Sequence, residues 1–264
     1  MSLRMENKVA YITGAGSGIG KATALKCSKE GATVICADYD ENGAKATANE
    51  IAKAGGQVMV SKVDISNQDQ VKASIKEAVE KYGRIDVMIA AAGVGSNEKF
   101  DDVSSEDWER MIKINLTGNF YLLQAIHPVM RERGSGSIVL FSSTAAYSGG
   151  TGMNTAYVAA KSGVNGLSRH CAALWTKEGI RVNTVMPSWV VTNFNKAAKD
   201  TDGVAFDEKE NQEWYKNGTA NWPMKRPSTP EEMANAAFFL ASDEASYISG
   251  INLLVAGARY VFNQ

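Results

Sequence analysis

The sequence predicts an α/β fold: a single doubly wound domain over residues 1–264, with a seven-stranded parallel sheet and helices on both faces. Three observations predict it. Short β-branched runs alternate with longer helical patterns along the whole chain, which implies parallel strands joined by right-handed crossovers. Runs such as Val87-Met88-Ile89 are continuously apolar rather than alternating, as strands covered on both faces are. No repeat, low-complexity tract or linker interrupts the rhythm.

The elements follow in order. Val9–Ile12 is the first strand, followed by a glycine turn and a helix from about Gly18 to Glu30. Thr33–Ala37 is the second strand. Asp40 then N-caps a helix that stops near Gly55-Gly56. Gln57–Val63 is the third strand. Val71, Ile75, Ala78, Val79 and Tyr82 fall on one helical stripe. Asp86–Ala90, Ser137–Phe141, Val182–Met186 and Asn252–Val255 complete the strands. Thr229-Pro-Glu-Glu232 is a capping box with proline at the first helical position, and it opens the helix before the last strand. Residues 193–222 break the pattern: they are polar, contain glycine and lack a single period, as lids and binding loops do.

Composition narrows the function. With 28 Lys plus Arg against 29 Asp plus Glu, the net charge is −1, which excludes a bulk basic surface for nucleic acid and a polybasic membrane anchor. No apolar run approaches the roughly 18 residues of a spanning helix. The start MSLRMENK lacks an apolar signal core, so a cytoplasmic protein is expected. Cys27, Cys36 and Cys171 are scattered and read as buried thiols in a reducing compartment. The only histidines, His127 and His170, are isolated, and no metal site is expected.

The first strand runs into Thr13-Gly14-Ala15-Gly16-Ser17-Gly18-Ile19-Gly20, a strand-to-helix turn where a pyrophosphate meets backbone N–H groups. Its spacing is GxxxGxG, carried by Gly14, Gly18 and Gly20. Asp38 ends the second strand 18 residues later and can accept from both ribose hydroxyls of an adenosine. A 2′-phosphate would meet that carboxylate with Ser17 and Tyr39 nearby and no cation, which favours NAD over NADP.

Tyr157-Val-Ala-Ala-Lys161 puts a phenol and an ammonium on one helix face. An unperturbed phenol has a pKa of about 10. An opposite charge at ~4 Å in an effective dielectric of ~20 is worth ~4 kcal/mol towards the phenolate, while desolvation pushes the other way.

From about residue 6 to 258 the chain resembles the compact, non-extended branch of the short-chain dehydrogenase/reductase family. The marks are Thr13–Gly20, Asp64, Ala92-Gly93, Asn115 in Ile-Asn-Leu-Thr-Gly, Ser142-Ser143, Tyr157-xxx-Lys161, and Arg181-Val-Asn183 leading to Pro187. The resemblance implies a Rossmann-type dinucleotide-binding catalytic domain and a tetrad of Asn115, Ser143, Tyr157 and Lys161. Tyr157 would be the acid/base on the substrate oxygen and Ser143 would hydrogen-bond that oxygen. Lys161 would bind the nicotinamide ribose and lower the Tyr157 pKa. Asn115 would hold a water linking Lys161 to solvent. The resemblance also places Gly14, Ser17, Gly18, Ile19, Gly20, Asp38, Asp64, Ile65, Ala91, Gly93, Pro187, Val190 and Thr192 against the cofactor. Asp64 would face the adenine, and Val190 and Thr192 the carboxamide. Ser142 rivals Ser143, because the serine-to-tyrosine spacing of 14 is one longer than is common. Departures from the family pattern are Ala90-Ala91-Ala92-Gly93 where Asn-Asn-Ala-Gly is frequent, Pro187-Ser188 for Pro-Gly, and Ala256-Gly257-Ala258 for Asp-Gly-Gly.

The function expected is an NAD-dependent oxidoreductase passing hydride between a secondary alcohol or ketone and the nicotinamide. A non-catalytic NAD-binding sensor or scaffold on the same fold is the alternative. Residues 193–222 carry Phe194, Phe206, Trp214, Tyr215 and Trp222, just after Trp189. As a substrate lid they favour bulky or ring-bearing substrates over small polyols. The family resemblance further implies a homotetramer, built partly on the helices after Asn115 and Tyr157.

Overall fold

The computed structural model describes residues 3–96, 98–149, 153–192, 194 and 217–260. Its sheet consists of β1 (Val9–Thr13), β2 (Thr33–Asp38), β3 (Val58–Lys62), β4 (Val87–Ala90), β5 (Gly136–Phe141), β6 (Ile180–Pro187) and β7 (Asn252–Val255). The order is β3-β2-β1-β4-β5-β6-β7, with every neighbouring pair parallel. All seven expected strands form, each within two residues of its expected bounds. The chain winds outward from β1 to β3, returns to β4 and winds outward again. The switch point therefore lies between β1 and β4, and a crevice opens there beyond the strands' carboxyl ends.

The helices are α1 (Gly18–Lys29), α2 (Glu41–Lys53), α3 (Gln68–Tyr82), α4 (Ser105–Ile112), α5 (Gly118–Arg133), α6 (Ala145–Ser148), α7 (Thr155–Trp175) and α8 (Pro230–Ala241). Adjacent strand residues point to opposite layers. Tyr11, Met88 and Ile138 share a core with Leu122 and Ile126 of α5 and Val164 of α7. Ile12, Ile89 and Val139 share the other with Cys27 of α1 and Phe238 of α8. Burying a side chain such as Leu122 in this way contributes roughly 1.5–3 kcal/mol. All three cysteines are buried and unpaired, as expected.

Buried polar groups are used as fasteners. The Tyr11 hydroxyl lies 2.6 Å from Ser74 Oγ, which lies 2.7 Å from Ser61 Oγ. Arg181 donates to the carbonyls of Leu240 at 2.8 Å and Ser242 at 3.0 Å, so a cation closes the C-terminal end of α8. Asn183 donates to Ile248 O at 2.8 Å and accepts from Ile251 N at 3.1 Å, which fixes the entry to β7. The Arg181-Val-Asn183 motif thus works here as a clamp for the last strand.

The helix starts behave as the sequence predicts. Asp40 caps α2, and both halves of the Thr229–Glu232 capping box form. Among the described residues no helix is long and apolar enough to cross a membrane.

Candidate active site

The crevice at the switch point is a cleft of about 1270 Å³, larger than the roughly 300–1,000 Å³ of most small-ligand pockets. One end of it is built by the glycine turn. Gly14 has φ +70°, and a Cβ there would lie 2.8 Å from Ala92 N. A Cβ on Gly20 would lie 2.0 Å from Gly14 O, so only glycine lets the turn close on itself and on the segment after β4. Ser17 precedes α1 in extended conformation with no side-chain capping bond, and the first turn holds no acid. By contrast, side chains cap α2, α3, α4, α7 and α8. The start of α1 thus keeps its positive end open to the cleft, with Ser17, Gly18, Ile19 and Gly20 on the wall. These groups fit the pyrophosphate of a dinucleotide.

Asp38 stands at the end of β2. Its Oδ2 accepts from Gly16 N at 2.8 Å and its Oδ1 from Asp40 N at 2.9 Å. Each oxygen keeps a lone pair for a ribose hydroxyl. Asp64 accepts from Ser66 N at 2.9 Å beside Ile65, and both line the cleft. Among the wall's residues no cation stands at this end. Ala91 and Gly93 line the middle; Pro187, Val190 and Thr192 line the opposite wall, with Thr192 Cγ2 3.3 Å from where a Gly18 Cβ would be.

The other end gathers Ser143, Tyr157 and Lys161. Asn154 caps α7 by accepting from Ala156 N at 2.9 Å and Tyr157 N at 3.3 Å, and its Nδ2 donates to Asp107 Oδ2 at 3.3 Å. That cap sets the first turn of α7 and hence the Tyr157 side chain. Ser143 stands by the Tyr157 hydroxyl and favours its ionised form, while its own Oγ accepts from Ala145 N at 3.1 Å. Lys161 Nζ lies 5.6 Å from the centroid of the Tyr157 ring and donates to Phe141 O at 2.9 Å. The two serines are separated by their partners. Ser142 Oγ donates to Lys161 O at 2.8 Å and so braces the helix, whereas Ser143 faces the phenol.

Burial dominates the acid–base behaviour here. It pushes the Tyr157 phenol up to about 12, opposed by the Ser143 hydroxyl. It pushes the Lys161 ammonium down to about 8. The expectation that Lys161 lowers the phenol is therefore not met in this arrangement. Lys161 contributes no lowering beside that of Ser143, and desolvation of the phenolate is the larger effect.

Asn115 lies off the cleft wall, fully buried in a π-helical turn, Lys113–Thr117, between α4 and α5. Its Oδ1 accepts from Val94 N at 3.1 Å, and its Nδ2 donates to Val94 O at 3.0 Å and Met111 O at 3.2 Å. The side chain is thus a strut that holds the 93–94 segment beside Lys161.

Of the aromatic residues singled out after β6, Phe194 meets the Tyr157 ring edge-on at 5.8 Å, and both Phe194 and Trp189 line the cleft. Trp222 stands one layer behind, 5.8 Å from Trp189. Phe206, Trp214 and Tyr215, with most of the expected 193–222 lid, lie outside the described residues. Sequence reasoning missed Val94, Thr144, Met153, Ser188, Arg259 and Tyr260, all of which line the cleft. The departure at Ala256-Gly257-Ala258 was the one signal pointing towards Arg259 and Tyr260.

An anion-ready turn at one end and a buried phenol at the other fit the cleft of a dinucleotide-dependent oxidoreductase. The chain belongs to the short-chain dehydrogenase/reductase family, whose members use nicotinamide cofactors. A family model described as enoyl-(acyl carrier protein) reductase matches residues 14–257. The chain is 36% identical over 248 residues to 3-oxoacyl-(acyl-carrier-protein) reductase FabG of Thermotoga maritima, covering 94% of this chain and 96% of that one. It is 34% identical over 261 residues to cyclohexanol dehydrogenase of an Acinetobacter species, covering 98% and 97%. Among solved structures, levodione reductase superposes with a TM-score of 0.89 at 30% identity, covering 97% of this chain and 98% of that one. A 7α-hydroxysteroid dehydrogenase complexed with NADH and 7-oxo glycochenodeoxycholic acid gives 0.86 at 32%, covering 98% and 96%.

Proposed function

We propose that the chain is an NAD-dependent dehydrogenase/reductase interconverting a secondary alcohol and its ketone, with bulky or ring-bearing substrates preferred over small polyols. The observation that carries this reading is that Tyr157, Ser143 and Lys161 line the same cleft as the open start of α1 and the Asp38 carboxylate. A bound nicotinamide supplies hydride exchange at the substrate carbon. Tyr157 handles the proton. With its pKa near 12 the phenol is protonated at neutral pH and donates to a ketone oxygen, leaving a phenolate; in the reverse direction that phenolate, formed by prior loss of the phenol proton to solvent, takes the alcohol proton as the carbinol C–H pair leaves as hydride. Ser143 orients that oxygen. Lys161 holds the ribose on the Tyr157 side, and Asn115 keeps the 93–94 segment in place behind it. NAD is preferred because Asp38 repels a 2′-phosphate and no cation lines the cleft at that end. We place the whole chain in one catalytic domain with 193–222 as the substrate lid.

Support for ring-bearing substrates comes from Trp189, Phe194, Met153 and Val94, which give the Tyr157 end an apolar wall. Relatives named for cyclohexanol and 3β-hydroxysteroids agree with that preference, while others are named for D-threitol and L-rhamnose. A homotetramer is supported by rings and chains left in solvent on the helices concerned: Phe120 on α5 and Leu174 on α7 are each over two-fifths exposed. The test is NADH formation with NAD and a panel of cyclohexanol, a hydroxysteroid, glycerol and a simple sugar. Faster turnover of the cyclic alcohols supports the reading. Faster turnover of glycerol or the sugar overturns the substrate preference, and NAD binding with no turnover of any alcohol or ketone indicates a sensor.

A further inference from the structure

We infer that the substrate carries an anionic group, a carboxylate or a phosphate, held by Arg259. This rests on the reading of the cleft as a site for alcohol or ketone chemistry.

The first observation is how the chain delivers Arg259. Beyond β7 the backbone reverses at Gly257 (φ +56°) and Ala258 (φ +63°), and Arg259 N donates to Ala256 O at 3.1 Å. Two consecutive left-handed residues are the signature of a type I′ turn. A non-glycine residue there is strained, and such strain is kept where a particular placement matters. The reversal returns Arg259 and Tyr260 to the cleft wall. Tyr260 then pins the tail beside the proton-transfer residues: its hydroxyl donates to Thr144 Oγ1 at 3.0 Å, the residue after Ser143.

The second observation is how the guanidinium is held. Its carbon lies 4.1 Å from the Trp222 ring centroid and 5.3 Å from that of Tyr260. One N–H reaches Ser188 Oγ at 3.3 Å. Stacking fixes the plane of the fork and removes much of the entropy that a free arginine would lose on binding. Of five N–H donors, the Ser188 bond uses one.

The third observation is charge. The carboxylates on the cleft wall, Asp38 and Asp64, stand at the ends of β2 and β3, at the opposite side of the sheet from β7. Lys161 is bonded to the Phe141 carbonyl. Among the described residues no carboxylate lies within ion-pairing distance of Arg259. A half-buried, stacked cation with open donors, beside the residues that would handle the substrate oxygen, suits a planar carboxylate gripped by two parallel bonds, or a phosphate. With the apolar wall of Trp189 and Phe194, the class of substrate is an amphipathic hydroxy or oxo acid: a ring or chain bearing the reacting oxygen and an acid group.

Calorimetric titration of the NADH-loaded protein tests this with three probes of one shape: cyclohexanecarboxylate, cyclohexyl phosphate and the neutral cyclohexanecarboxamide. The expected result is that at least one anion binds wild type about 10- to 100-fold more tightly than the amide, the range for a charge-assisted pair. Arg259→Met, which keeps an apolar chain on Trp222, abolishes that preference, and Arg259→Lys restores part of it. Unchanged NADH affinity in both variants shows that the cleft is intact. The carboxylate and phosphate arms tell which anion is meant. Equal binding of anions and amide by wild type, a preference that survives in Arg259→Met, or a loss of NADH affinity equal to the loss of anion affinity overturns the inference. NADH consumption with 3-oxocyclohexanecarboxylate is measured separately. If the anions bind through Arg259 and no oxidation state changes, the redox reading fails and the anion site stands.

Discussion

Along the glycine turn the cleft wall is main chain, whereas between β6 and the segment after β7 it is side chain. At the first end Gly14 and Gly20 leave no room for a Cβ, α1 offers uncapped N–H groups, and Asp38 is held in place by backbone donors. At the second end the surface consists of Trp189, Phe194 and Met153, with Arg259 stacked on Trp222. A main-chain wall recognises a constant ligand, because its geometry is set by turn closure and not by which side chains surround it. A side-chain wall can be rewritten one residue at a time.

The contrast can be broken most sharply at Tyr157. Tyr157→Phe keeps the ring and its edge contact with Phe194 while removing the hydroxyl proposed to carry the proton. Turnover is expected to fall at least ~10²-fold with dinucleotide affinity unchanged. A variant keeping more than a tenth of wild-type activity would put the proton transfer elsewhere.

Lys161 gives the next largest effect, read in stability. Burial holds it near 8 against an ordinary 10.5, so the unfolded chain binds this proton more tightly between those values. Unfolding free energy contributed by this group therefore rises as pH goes from about 8 to 10.5, by about 3 kcal/mol in total. Tyr157, raised to about 12, acts oppositely above pH 10. Denaturant titrations of wild type and Lys161→Met across pH 7 to roughly 10 check this: the wild type should gain on the variant as pH rises. Parallel curves would mean that the ammonium is not desolvated.

The main-chain end is sharpened through Asp38. Wild type should show a higher kcat/KM with NAD than with NADP, and Asp38→Asn, which keeps the shape and removes the charge, should narrow the ratio about tenfold, on the order of 1.4 kcal/mol. Equal or better values with NADP in the wild type would remove the assignment. The smallest effect is expected at Trp222→Ala. Trp222 stands behind Arg259 and not on the wall, so KM for a bulky substrate should rise roughly threefold to tenfold, with NAD affinity unchanged. An equal loss of both would place Trp222 in the scaffold as a whole.

The two ends also differ in how far the sequence announces them. Continuous apolar strands, the Thr229 capping box and the GxxxGxG turn are local patterns, and each appears where a short window of sequence puts it. Tyr157 and Lys161 sit one helical turn apart, so their pairing was local too. Arg259 is not local to the residues that hold it: Ser188 and Trp222 reach it, and Thr144 reaches its neighbour Tyr260, through the fold alone. The choice between Ser142 and Ser143 turned on which way adjacent side chains face after β5, which a spacing of 14 does not specify. The direction of the Tyr157 shift came from burial, opposed by the Ser143 hydroxyl, whereas the i, i+4 spacing carries only the Lys161 charge. Asn115 was legible as a position, but its use as a strut came from the π-helical turn that directs it at Val94.

The sheet order bears on how the molecule is made. From β4 onward each new strand adds at the open edge in the order in which it is synthesised: β5, β6, then β7. The glycine turn, Asp38 and Asp64 all lie within the first quarter of the chain, whereas Arg259 and Tyr260 emerge last and reach back to Ser188 and Thr144. A domain generally folds as a unit, and contacts between segments distant in sequence are the slow ones to form. The contacts of Arg259 and Tyr260 with Ser188 and Thr144 can form only once the last residues are made, and a chain cut short before β7 would lose them.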